Sequence, residues 1–163
     1  MHETNEGIRG RIGIITVSDT RTEETDKSGA IIRQLAEEQG HEITAYDIVK
    51  DEKEKMQDLL HTWLQDEPVD VVIMNGGTGF SPRDVTYEAV NELLDKEMEG
   101  FGELFRMLSY EEIGAKAMFS RAIGGSVKEK VIFALPGSSN AVKLGMNQLI
   151  LPVLSHFMEE LNK

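Results

Sequence analysis

Val69-Asp70-Val71-Val72-Ile73-Met74 runs without interruption into Asn75-Gly76-Gly77-Thr78-Gly79-Phe80-Ser81-Pro82-Arg83-Asp84. The first six residues are short, apolar and largely β-branched, the pattern of a buried strand. Glycine, proline and aspartate then end it with turn chemistry. Beyond the turn, Val85, Ala89, Val90, Leu93 and Leu94 recur at helical spacing, so a buried strand passes through a glycine-rich loop into a helix.

The same alternation extends on both sides. Residues 12–17 (Ile-Gly-Ile-Ile-Thr-Val) form another buried strand, stopped by Ser18-Asp19-Thr20-Arg21. Ile31, Ile32, Leu35 and Ala36 predict a helix with its first turn near Asp26 and its stop at Gly40. Residues 43–49 alternate weakly, as a second strand does. Met56, Leu59, Leu60, Trp63 and Leu64 then fall on one helix face. Asp51 and Glu54 have capping-box spacing just before it. Towards the C-terminus, residues 95–120 read as partly helical, with Leu104, Phe105 and Leu108 as apolar positions. Residues 122–127 and 130–135 read as two strands joined by a short turn. Pro136-Gly137-Ser138-Ser139-Asn140 is a helix-starting loop. Two helices fit the rest: residues 141–150, then one starting at Pro152 with Val153, Leu154, Phe157, Met158 and Leu161 on its apolar face.

Strands alternating with helices require crossover connections, which favour a parallel sheet covered on both faces. The expected fold is a three-layer αβα sandwich with a mostly parallel sheet. Residues 1–10 are expected to be a loose lead-in to a single domain spanning 11–163. A chain of 163 residues suits one core, which buries about 70% of the surface that the unfolded chain exposes.

Composition narrows the function. Seventeen Lys and Arg against 29 Asp and Glu give a net charge of −12, which disfavours a nucleic-acid backbone as partner. No apolar run approaches the roughly 20 residues of a membrane-spanning helix, so no membrane partner is expected. The absence of cysteine excludes disulfides, zinc–thiolate sites and thiol catalysis. Met1-His2-Glu3-Thr4-Asn5-Glu6 lacks a signal-peptide pattern, and a cytoplasmic address is expected.

In open parallel sheets, ligands bind beyond the carboxyl ends of the strands. Three loops are expected there: residues 18–21, 76–84 and 136–139. Gly76, Gly77 and Gly79 allow positive φ and close backbone approach, so N–H groups can face phosphate oxygens even in an acidic protein. The same glycines would also serve a sharp turn and nothing more. Arg83 can fork onto a phosphate or a carboxylate. Asp51 and Asp84, both at strand-to-helix junctions, suit magnesium beside nucleotide phosphates. Each also has a structural reading: Asp51 as a helix cap, and Asp84 within a capping arrangement that places Pro82 in the first helical turn.

Other chemistries lack their signatures. There is no Gly-x-Gly-x-x-Gly after the first strand, no Gly-Lys-Ser/Thr ending to the glycine loop, and no Gly-x-Ser-x-Gly elbow around Ser138 and Ser139. His2, His41, His61 and His156 lack metal-ligand spacing and read as surface or helix-face residues. The eight methionines read as core filler.

An ordered set of motifs carries a family resemblance. Thr16-Val17-Ser18-Asp19, then Gly76-Gly77-Thr78-Gly79 with Arg83-Asp84-Val85-Thr86, the stretch from Glu97 to Glu103, Ser120-Arg121 and Pro136-Gly137 resemble the molybdopterin-binding proteins of molybdenum cofactor biosynthesis. The match spans the chain from about Gly10 onward. The resemblance implies a three-layer α/β fold, assembly as a homotrimer or as a hexamer of two trimers, and adenylyl transfer from Mg-ATP to the terminal phosphate of molybdopterin. Asp51 and Asp84 would be the essential acidic, Mg²⁺-holding residues. Ser18, Asp19, the Gly76, Gly77, Thr78 and Gly79 cradle, Arg83, Ser109, Ser120, Pro136, Gly137 and Ser138 would line the pterin and nucleotide pocket. A downstream molybdate-inserting protein would receive the product. One position departs from the pattern. The adenylyltransferases commonly carry Asn two residues before Pro-Gly, where this chain has Ala134. The resemblance therefore also admits a non-catalytic molybdopterin carrier.

Overall fold

The structure, a computed structural model, describes residues 9–66 and 68–163. Most of the expected lead-in, residues 1–8, lies outside them. Six strands form one sheet in the order β2-β1-β3-β6-β5-β4. These are β1 (Arg11–Val17), β2 (Glu42–Val49), β3 (Val71–Asn75), β4 (Lys96–Glu97), β5 (Ile123–Val127) and β6 (Lys130–Leu135). The pairs β1–β2, β1–β3 and β3–β6 are parallel, whereas β5 and the two-residue β4 run antiparallel at one edge. The fold is the expected three-layer sandwich.

Strand periodicity divides the core. On one face, Ile12, Ile14, Val71, Ile73, Val131, Phe133 and Leu135 pack against α1 (Lys27–Glu38), α4 (Glu99–Ile113), α5 (Ser139–Gly145) and α6 (Leu151–Leu161). On the other, Ile15, Val17, Val72, Met74, Ile132 and Ala134 pack against α2 (Lys53–Gln65) and α3 (Thr86–Asn91). Alternate residues of buried strands point to opposite faces, so both faces demand apolar side chains. The parallel register aligns Thr16 with Asn75, and Asn75 with Leu135. That brings the loops after β1, β3 and β6 to one end of the sheet.

Several sequence expectations are corrected. The capping box at Asp51 and Glu54 does not form: Glu52 is the N-cap of α2, without a side-chain bond. Pro82 lies in a turn rather than a first helical turn, and α3 begins only at Thr86. It also ends at Asn91, so Leu93 and Leu94 pack on the core from the following loop. Residues 95–120 resolve into β4, α4 and a 3₁₀ segment, Gly114–Phe119. On α4 the buried residues are Phe101, Gly102, Phe105 and Ser109. Leu104 is exposed and Leu108 half-buried, because the aromatic pair Phe101 and Phe105 faces Phe133 in the core.

The two C-terminal helices are one continuous rod, starting at Ser139 and passing through a π-helical turn, Met146–Ile150, into α6. Proline has no N–H to donate, and the wider turn before Pro152 accommodates that loss without a break. Met107 and Met118 are exposed, so methionine is not uniformly core filler, and His41 is buried rather than superficial. Its Nδ1 accepts from the Gly10 N–H at 2.8 Å, and burial pushes its pKa down.

Candidate active site

A cleft of about 410 Å³ opens at the carboxyl end of the sheet, lined by Val17, Ser18, Asp19, Thr20, Arg21, Asp51, Gly76, Gly77, Asp84 and Gly137. Larger or better-enclosed hollows exist elsewhere, but this one lies where β1, β3 and β6 end. Its floor is the glycine loop. Gly76 has φ +103° and Gly77 has φ +74°; a side chain on Gly76 would run into the Val17 carbonyl, and one on Gly77 into the Thr86 hydroxyl. Thr86 locks the loop from below, donating from Oγ1 to the Gly76 carbonyl at 2.8 Å and from N to the Gly77 carbonyl at 3.0 Å. The Gly76 N–H is taken by Leu135. The N–H groups of Gly77, Thr78 and Gly79 have no acceptor among the described residues.

Three carboxylates meet this loop in different states. Asp19 accepts a forked guanidinium from Arg83, at 2.7 and 2.8 Å from Nη2 and 3.2 Å from Nε. It also accepts the Asp51 N–H at 3.1 Å. The Arg83 bonds foremost hold Asp19 below the usual carboxylate range. Asp84 Oδ2 accepts from the N–H and hydroxyl of Ser81 at 3.0 and 2.8 Å, closing the turn rather than capping α3. The Asp51 carboxylate has no hydrogen bond among the described residues. It sits beside Gly77, with Oδ1 3.0 Å from where a Cβ would be. Burial first, and then the charges of Asp19 and Asp84, push the Asp51 pKa up.

Around the cleft is a scaffold of paired polar groups. Ser18 Oγ accepts the N–H groups of Thr20 and Arg21 at 3.1 and 3.0 Å. Ser138 caps α5, accepting from the Ala141 N–H at 3.2 Å. The Gly137 carbonyl accepts from Ser28 Oγ at 2.6 Å and from Arg21 Nη2 at 3.0 Å. Behind β1, the buried Asp26 accepts from Thr16 Oγ1 and the Tyr46 hydroxyl, both at 2.6 Å, and from the Gly29 N–H at 2.9 Å. Burial, then that bond to Asp26, raise the Tyr46 pKa. Asn75 extends the network by donating to Thr16 Oγ1 at 2.9 Å.

Ser18, Asp19, Gly76, Gly77, Gly137, Asp51 and Asp84 thus converge on the cleft, with Arg83 reaching it through Asp19. Thr78, Gly79, Ser120, Pro136 and Ser138 are not among its lining residues. Ser109 is buried on the core side of α4. The Thr78 and Ser120 hydroxyls and Glu88 Oε1 are buried without a hydrogen-bond partner among the described residues. Arg121, which sequence reasoning had not made a site residue, staples the loop. It donates from N to the Thr78 carbonyl at 2.7 Å, from Nε to that of Gly79 at 2.9 Å and from Nη2 to that of Asp84 at 2.7 Å. It also pairs with Glu88 and lies over the rings of Phe80 and Tyr87. Asp26, Asn75, Ser28 and Thr86 were missed as well; isolated polar residues at strand and helix ends carry no spacing signal.

Fold and site together define a class: a three-layer α/β protein with a glycine loop at the strand carboxyl ends, flanked by carboxylates. Residues 13–156 match the family described as a probable molybdopterin binding domain, and the chain belongs to that family. It is 59% identical over 154 residues to the Bacillus cereus molybdenum cofactor biosynthesis protein B, covering 94% of this chain and 91% of that one. The Bacillus subtilis protein of the same name is 54% identical over the same shares. A crystal structure of a molybdenum cofactor biosynthesis protein B superposes with TM-score 0.92 at 58% identity, covering 95% of this chain and 97% of that one. The tungsten cofactor synthesizing protein MoaB from Pyrococcus furiosus gives TM-score 0.85 at 37% identity, covering 95% and 98%.

Proposed function

We propose that the cleft binds molybdopterin and Mg-ATP and transfers AMP to the terminal phosphate of the pterin. An oxygen of that phosphate bonds to the α-phosphorus of ATP as the α–β bridging P–O bond breaks, and the electron pair leaves with pyrophosphate. The observation that carries this reading is the uncommitted Asp51 carboxylate beside a cradle with unpaired N–H groups. A helix cap would have spent that carboxylate; here it caps nothing.

Two carboxylates fit magnesium, which keeps waters and phosphate oxygens as its other ligands. Among the described residues no cluster of three or more such side chains is arranged to hold a metal alone. Asp51 and Asp84 would hold it, and when bound it would offset the charge of the phosphates. The Gly77 N–H, on the lining of the cleft, would take a non-bridging oxygen, and rigid placement of both phosphates supplies most of the rate. A carrier reading, with pterin bound but not turned over, is favoured by Ala134. Its side chain is fully buried on the α2–α3 face in register with Met74, and it gives the cleft no polar group.

The reading includes self-association. Leu104, Met107, Tyr110, Ile113, Met118 and Phe119 are exposed along α4 and the 3₁₀ segment, an apolar face that suits a trimer or hexamer contact. Phe101 and Phe105 take no part in this face, because they are spent in the core. Native mass measures this, and a clean monomer counts against it. A cytoplasmic setting and hand-over of adenylylated pterin to a molybdate-inserting protein complete the proposal. No helix among the described residues is long and apolar enough to cross a membrane.

The test mixes protein with freshly prepared molybdopterin and Mg-ATP and seeks adenylylated pterin by mass spectrometry. Product that requires ATP and falls at least about 100-fold in Asp84→Asn, with thermal stability kept, supports the enzyme. Bound pterin without product supports the carrier.

A further inference from the structure

We infer that Arg21 is a phosphate-contacting residue of the cleft, aimed by the buried carboxylate of Asp26. The inference rests on the cleft being a phosphate site, as proposed above, and adds the group that offsets its acidity. Asp19, Asp51 and Asp84 all line the cleft, and Arg21 is the one cation among its lining residues. Arg83 is already forked onto Asp19. A phosphate entering this cleft meets repulsion from three carboxylates unless a cation faces it.

Both terminal nitrogens of Arg21 are anchored, and Nε is left over. Nη2 donates to the Gly137 carbonyl at 3.0 Å, and Nη1 lies 3.5 Å from Asn75 Oδ1 and 3.7 Å from Asp26 Oδ1. Its Nε has no acceptor among the described residues, and the side chain is one-third exposed. A guanidinium carries five donors in a fixed plane, so anchoring one edge directs the rest. Asp26 itself is 4% exposed and fixed by three neutral donors from Thr16, Tyr46 and Gly29. Its position cannot drift with solvent, and its charge, 3.7 Å from Nη1, joins the bonds to Asn75 and Gly137 in placing the arginine.

The experiment titrates the full chain with inorganic pyrophosphate, Mg-ATP and freshly prepared molybdopterin in separate arms, by calorimetry, at several salt concentrations. Arg21→Ala is expected to weaken pyrophosphate binding about tenfold or more and to flatten its salt dependence. Arg21→Lys recovers part of the affinity, and Asp26→Asn, checked for folding by circular dichroism, loses several-fold. The arm that loses most between ATP and molybdopterin identifies which phosphate Arg21 meets. Ser28→Ala removes the other bond to the Gly137 carbonyl while leaving charge intact, and it is expected to cost less than Arg21→Ala. Unchanged binding in Arg21→Ala overturns the inference alone. Equal losses in Ser28→Ala and Arg21→Ala, with parental salt dependence, also overturn it, because the arginine would then act only through the loop. A parent protein that binds none of the three probes overturns both the phosphate-site reading and this inference.

Discussion

Two neighbouring regions at the end of the sheet treat their carboxylates in opposite ways. Behind β1, Asp26 is buried and receives three hydrogen bonds, while Thr16, Tyr46 and Asn75 are each tied into the same network. A few residues away, at the glycine loop, Asp51 receives none among the described residues, and three successive N–H groups are unpaired. The first region spends its polar side chains chiefly on one another and on the first turn of α1. The second leaves its groups open, and it can do so because Thr86 and Arg121 already fix the loop's shape.

The largest expected contrast is between the two aspartates. Asp26→Ala strands the donors of Thr16, Tyr46 and Gly29 in a buried setting and should cost about 3 kcal/mol or more. Asp51→Ala removes a carboxylate that neither caps a helix nor accepts a bond, and should leave denaturation midpoints at or above the parent's. Urea unfolding of both variants measures the difference. Comparable losses would abolish the distinction between scaffold and open site.

The glycines offer a second, smaller contrast. Gly76→Ala places a methyl group against the Val17 carbonyl at positive φ, with no flexible neighbour to yield, and should cost about 2–3 kcal/mol. At Gly79 the nearest atom is the Asp84 carboxylate, 2.7 Å from a built Cβ, and a side chain can rotate away. Gly79→Ala should cost under about 1 kcal/mol while disturbing the Asp84 turn. A Gly79 variant as unstable as the Gly76 one would mean that this turn is part of the rigid frame.

Much of this arrangement was legible in the sequence because its signals are periodic or local. The β-branched runs at β1, β3 and β6 fixed the sheet, and the glycine loop marked the cleft. The capping signals misled. Asp51 and Asp84 have the spacing of caps, but spacing cannot say whether the chain will begin its helix there; α2 starts at Lys53 and α3 at Thr86, later than either pattern implies. Of the two failed caps, Asp51 is left without a hydrogen bond among the described residues, and Asp84 closes a turn with Ser81. Asp26, Ser28 and Arg121 stayed hidden because each acts on carbonyls or hydroxyls far away in sequence, as Ser28 does on Gly137. Leu104 and Leu108 misread for the opposite reason: apolar spacing on α4 cannot tell a core face from an exposed apolar one.

The smallest expected effect is electrostatic and tests the open region directly. Asp51 has a folded pKa above the ordinary value of 3.8, through burial and its acidic neighbours. Its contribution to stability is therefore fully present below that value and lost as pH rises through the folded pKa. Asp19, lowered by Arg83, has the opposite sign: its contribution is present above 3.8 and lost as pH falls through its folded pKa. Asp51→Asn should thus melt slightly above the parent at pH 7, with the advantage shrinking as pH falls through the raised folded pKa and gone below 3.8. Arg83→Ala should enlarge the Asp51 effect, since it removes the one nearby cation that opposes the shift. Adding Mg-ATP at pH 7 should reverse the order, because a ligand bound only to the folded state raises its stability and Asp51→Asn would bind it less well. A Tm difference between Asp51→Asn and parent that ignores both pH and Mg-ATP would show a carboxylate that is merely unpaired, not held ready.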